Sequence, residues 1–132
     1  AWARSKSEEW MDMMMRLTRE QQDHVIRRVI RYIEMNYAGS CTLQAAAVHV
    51  HETPNYLSHL FKKETGQGFS QYVSKRRIEK AKLLLHSTRQ SMAEIAEQTG
   101  FDNSSYFTTV FKQATGLSPR EYRKQGAGDH HE

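Results

Sequence analysis

The 132-residue chain is 38% hydrophobic and 26% charged, with 19 Lys or Arg against 15 Asp or Glu. That balance suits a soluble globular protein of one compact domain or two very small ones, with room for a modest core. No apolar run approaches the roughly 18–20 residues of a membrane helix, and no signal-peptide pattern opens the chain. Cys41 is the one cysteine, so an intrachain disulfide is excluded and a reducing cytoplasm is expected. The net charge of +4 is uneven. Residues 42–125 hold twelve Lys or Arg against seven Asp or Glu, residues 1–41 hold seven against six, and residues 126–132 hold only Asp129 and Glu132. Clustered basic charge favours a polyphosphate partner, because each neutralised phosphate releases counterions. A solvated face gives the same pattern.

The helical period dominates throughout, and no stretch alternates as a strand should. Residues 1–21 are expected to form a linker helix from a missing upstream regulatory domain, since the chain opens on Ala1 rather than Met. That helix should run from about Ser7 to Leu17 and pack Trp10, Met14 and Leu17 on the missing part. Thr18-x-x-Gln21 has the capping-box pattern and predicts a second helix, with Val25, Ile26, Val29, Ile30 and Ile33 as its apolar stripe. Gly39 can stop it. Residues 22–68 then form a first subdomain. Its short helix starts at Thr42 and carries Leu43, Ala46, Ala47 and Val50. Thr53-Pro54 starts the next helix, because Thr caps well and proline is preformed for the first helical turn. It runs to Thr65 and stops at Gly66. A long helix fills residues 69–88. In residues 89–125, Ser91-x-x-Glu94 caps a short helix ending at Gly100. Asn103 caps another to Thr115, and Ser118-Pro119 opens the last. Residues 126–132 are expected to be a disordered tail.

A shift of 50 residues places Tyr56 on Tyr106, Phe61 on Phe111, Lys62 on Lys112, Gly66 on Gly116 and Tyr72 on Tyr122. The short helices align at a shift of 49, so the first turn is one residue shorter than the second. Each unit reads as a short helix, a tight turn and a longer helix with one apolar face, which is the helix-turn-helix pattern. Two units in register are a far more specific signal than one.

PNYLSHLFKKETG (54–66), RIEKAKLLL (77–85), and IAEQTGFDNSSYFTTVFK (95–112) with TGLSPREYR (115–123) resemble the AraC/XylS transcription regulators. The match covers about residues 22–124. The resemblance implies an all-α domain, two helix-turn-helix subdomains joined by a long linker helix. It also implies double-stranded DNA binding and bacterial transcription control, usually activation, with RNA polymerase as a partner and the nucleoid as location. The chain departs from the family in the first turn. Glu52 stands where an apolar plug is usual, and His51 replaces a glycine.

A groove-reading helix must bury one face and show the other to base edges. In residues 54–65, Tyr56, Leu57, Leu60 and Phe61 form the expected apolar face, leaving Asn55, Ser58 and His59 for bases. Asn suits adenine, and His can donate to guanine acceptors. In residues 104–115, Ser104, Ser105, Thr108 and Thr109 face out and discriminate weakly. The first helix is therefore the expected reader and the second the expected anchor. Expected phosphate contacts are Thr42, Lys62, Lys63, Arg76, Arg77, Ser91, Lys112, Arg120 and Arg123.

No catalytic constellation stands out, so no enzyme activity and no cofactor are expected. Cys41 as a methyl acceptor lacks a base beside it and reads better as a semi-buried residue. His49 with His51, and His130-His131, lack the spacing and partners of a metal site. A helical protein-interaction module without DNA binding remains the rival.

Overall fold

The computed structural model describes residues 5–129. Among these the chain forms seven helices and no strand. They are α1 (Lys6–Asn36), α2 (Leu43–His49), α3 (Pro54–Thr65), α4 (Phe69–Ser87), α5 (Met92–Thr99), α6 (Ser104–Thr115) and α7 (Pro119–Asp129).

The helix starts follow from short polar side chains that satisfy orphan N–H groups. Thr42 accepts from Ala45 N at 3.1 Å, Thr53 from Tyr56 N at 3.2 Å and Ser91 from Glu94 N at 3.1 Å. Asn103 accepts from Tyr106 N at 2.8 Å, and Ser118 from Glu121 N at 3.2 Å. Thr18 behaves differently. Its hydroxyl donates to Met14 O at 2.9 Å, the bond of a threonine inside a helix. The two helices expected before Gly39 are therefore one, capped at Ser5 by a bond from Glu8 N. A second correction concerns the tail. α7 continues to Asp129, and Gly126 is buried against the His86 ring, so Gly126 begins no disordered tail. Residues 130–132, with His130 and His131, lie outside the described residues.

The apolar side chains gather in two cores. Val25, Ile26, Val29 and Ile33 of α1 meet Ala46 and Ala47 of α2, Leu57, Leu60 and Phe61 of α3, and Phe69 and Val73 of α4. Ile78, Ala81 and Leu85 of α4 meet Ile95 and Ala96 of α5, Phe101, and Phe107 and Phe111 of α6. α4 is thus more than a spacer between subdomains. Its first half closes one core and its second half opens the next. The repeat extends to ring geometry. Tyr72 sits edge-on to Phe61 at 5.2 Å, and Tyr122 edge-on to Phe111 at 5.4 Å.

The two tight turns share one hydrogen-bond pattern. Glu52 N donates to Ala47 O and Phe101 N to Ala96 O, both at 2.9 Å. The left-handed position is His51 (φ 60°) in the first turn and Gly100 (φ 91°) in the second. A side chain there strains the backbone. His51→Gly is therefore expected to stabilise the chain by about 0.5–1 kcal/mol, measured by denaturant unfolding. A loss of stability would show that the imidazole makes contacts worth more than the strain.

Candidate nucleic-acid interface

Burial of Leu57, Leu60 and Phe61 turns the opposite side of α3 to solvent. Asn55, Ser58, His59, Lys62 and Lys63 are all exposed there. α6 buries Phe107 and Phe111 in the same manner and exposes Ser105, Thr109 and Lys112, with Ser104 and Thr108 half-buried. Thr108 and Thr109 donate their hydroxyl hydrogens to Ser104 O at 2.8 Å and Ser105 O at 3.1 Å. Those hydroxyls are therefore left as acceptors toward solvent. The α6 face is poorer in donors than its sequence suggests.

Tyr56 is a correction. Expected in the apolar face, it is 37% exposed, and its counterpart Tyr106 is 53% exposed. Both stand in the first turn of their helices, next to the polar face. Their recurrence at one place in the repeat was the available signal, and only Tyr56 was expected to pack inward.

The cationic groups divide. Lys62, Lys63, Lys112 and Arg120 are exposed. Arg120 and Lys124 come together with Ser91 around a cleft of about 510 Å³. Sequence reasoning missed Lys124, which the turn of α7 brings beside the start of α5. Arg76, Arg77 and Arg123, also expected at phosphates, each have partners within the protein, and Arg123 lines the same cleft as Arg120 and Lys124. Arg76 Nε donates to both carboxylate oxygens of Glu34, at 2.7 and 2.8 Å, and that hydrogen bond pushes its pKa up. Arg77 donates to Tyr37 O at 2.7 Å and Gly39 O at 3.2 Å. Arg123 donates to Leu85 O at 3.0 Å and Thr88 O at 3.4 Å. The guanidiniums of Arg77 and Arg123 satisfy carbonyls that the ends of α1 and α4 leave open.

Burial pushes the Cys41 thiol up, against a smaller opposing pull from Arg77. A thiol held protonated is a poor nucleophile. Among the described residues no group of His, Cys, Asp or Glu is arranged to hold a metal, and no helix is long and apolar enough to cross a membrane.

The paired helices, each with a buried and a polar face, agree with a family match. A helix-turn-helix domain model matches residues 45–125. The chain belongs to the AraC-type family of helix-turn-helix, DNA-binding transcription regulators. This AraC-type domain is 42% identical over 94 residues to the uncharacterized HTH-type transcriptional regulator YijO of Escherichia coli, covering 71% of the chain and 33% of that protein. It is 39% identical over 102 residues to the arabinose operon regulatory protein of the same organism, covering 76% of the chain and 35% of that protein. The chain thus spans about a third of the length of these relatives. Among solved structures it resembles the C-terminal domain of AraT, a response regulator from Geobacillus stearothermophilus. The TM-score is 0.75 at 40% identity, over 76% of this chain and 84% of that one.

Proposed function

We propose that the domain seats α3 and α6 in two successive major grooves on one face of a DNA duplex, about 34 Å apart. The observation that carries this reading is the matched pair of helices, each burying its repeat phenylalanine and leaving a polar face in solvent. Asn55 and His59 read bases from α3, with Ser58 as an adaptable neighbour. The hydroxyls of Ser104 and Ser105 and the methyls and acceptor oxygens of Thr108 and Thr109 give α6 weaker discrimination. Thr42, Lys62, Lys63, Ser91, Lys112 and Arg120 hold phosphates, joined by Lys124, Tyr56 and Tyr106. In this reading the domain performs no chemical step and needs no cofactor. It works in the bacterial cytoplasm, at the nucleoid, and activates transcription through RNA polymerase. An upstream sensor or receiver domain controls it. Trp10, Met14 and Leu17, all exposed, supply the face on which that domain packs.

Titrations on a selected duplex and a scrambled one test the assignment. His59→Ala should weaken the selected duplex by roughly 10–100-fold, at about 1–3 kcal/mol per base contact, and leave the scrambled one nearly unchanged. Lys63→Ala should weaken both equally and reduce the salt slope by about 0.9. An unchanged specificity ratio for His59→Ala would sink its role as a reader. Protection of a single turn of DNA would sink the two-groove arrangement.

A further inference from the structure

Two of the arginines described above meet at the seam between the units. α4 leaves the first core at Val73 and enters the second at Ile78, and Arg76 and Arg77 lie at that crossing. Arg77 ties α4 to the end of α1 through Tyr37 O and Gly39 O. Arg76 ties it again through Glu34, and its guanidinium lies 5.3 Å from the centre of the Tyr37 ring. Gly100 approaches the same place from the second unit. A Cβ there would lie 2.9 Å from Arg77 Nε and 3.1 Å from Ala38 Cα, and would overlap the Tyr37 carbonyl. A shared helix sets the separation of two cores along its axis, but a helix can still curve gently along its length. The carbonyl clamp and the glycine contact restrain the remaining bend and twist.

We infer that Arg77, supported by the Arg76–Glu34 pair and the Gly100 contact, fixes the angle between α3 and α6 and so determines which half-site spacing the domain accepts. Arg77 is then a positioning residue that touches no DNA. The inference rests on the two-groove reading. Moving one half-site by a base pair shifts it about 3.4 Å and rotates it about 34–36° around the duplex. A locked pair of helices cannot follow that movement, and a loosened pair can.

The test measures binding of this chain to duplexes carrying two half-sites, taken from random-sequence selection, at the selected spacing and at −1, +1 and +2 base pairs. Single half-site duplexes are included, and the selected duplex is also titrated against salt. The variants are Arg77→Met, which keeps the stem and removes the donors, and Glu34→Gln, which weakens the second tie alone. Wild type should lose about tenfold or more at each wrong spacing. Arg77→Met should bind all spacings within about threefold, with single half-site affinity and salt slope unchanged. Glu34→Gln should relax the profile partly. If both variants keep the wild-type profile, the inference is overturned. A salt slope lowered by about 0.9 in Arg77→Met would overturn it too, as the mark of a phosphate contact. Should Arg77→Met fail to fold, Glu34→Gln decides by the same criterion. A wild-type chain indifferent to spacing would overturn the two-groove reading itself, and the inference with it.

Discussion

Phe61→Ala is expected to cost about 3–5 kcal/mol of unfolding free energy. The ring is fully buried and meets Phe69 at 5.7 Å and Tyr72 at 5.2 Å. Both neighbours lie on α4 and not on the helix of Phe61, so the space left behind cannot collapse freely. Phe111→Ala should cost a similar amount, because Phe111 is equally buried and meets Phe107 at 5.7 Å and Tyr122 at 5.4 Å. Denaturant unfolding reads both. The functional consequence should be local. Loss of the first core releases α3, and DNA protection should shrink from about two turns to one. A cost below about 1 kcal/mol would mean that the ring is not held as described.

Gly100→Ala is expected to cost about 2–4 kcal/mol. Two effects add. The left-handed backbone at φ 91° penalises any L side chain by roughly 1–2 kcal/mol. The new methyl would also overlap the Tyr37 carbonyl, a backbone group that cannot rotate away. Gly116→Ala separates the two. Its φ is 83°, and a Cβ there meets nothing within 4 Å, so only the backbone penalty of about 1–2 kcal/mol applies. Equal costs at the two glycines would remove the close approach between the units as an energetic factor.

Much of the fold was legible from local chemistry. Thr42, Thr53, Ser91, Asn103 and Ser118 cap helices where the sequence predicts, because a cap is decided within three residues. The failure at Thr18 has the same root. A threonine after an apolar stretch either caps a new helix or bonds back into the old one, and the local pattern is shared by both. At the interface, the solvent faces of α3 and α6 followed from helical period. The exposure of Tyr56 did not, since an amphipathic tyrosine fits either side of the boundary between faces.

The sequence by itself determined the two helix-turn-helix units, their register and the outward set Asn55, Ser58, His59 and Lys62, because period, caps and turn residues act over a few positions. Only the tertiary structure decided the intramolecular partners of the arginines and the double role of α4. Arg76 and Glu34 are 42 residues apart, Arg77 and Tyr37 40, and Arg123 and Leu85 38. A guanidinium looks the same in sequence whether it meets a phosphate or the carbonyl end of a neighbouring helix. Which of these it meets depends on how the helices cross.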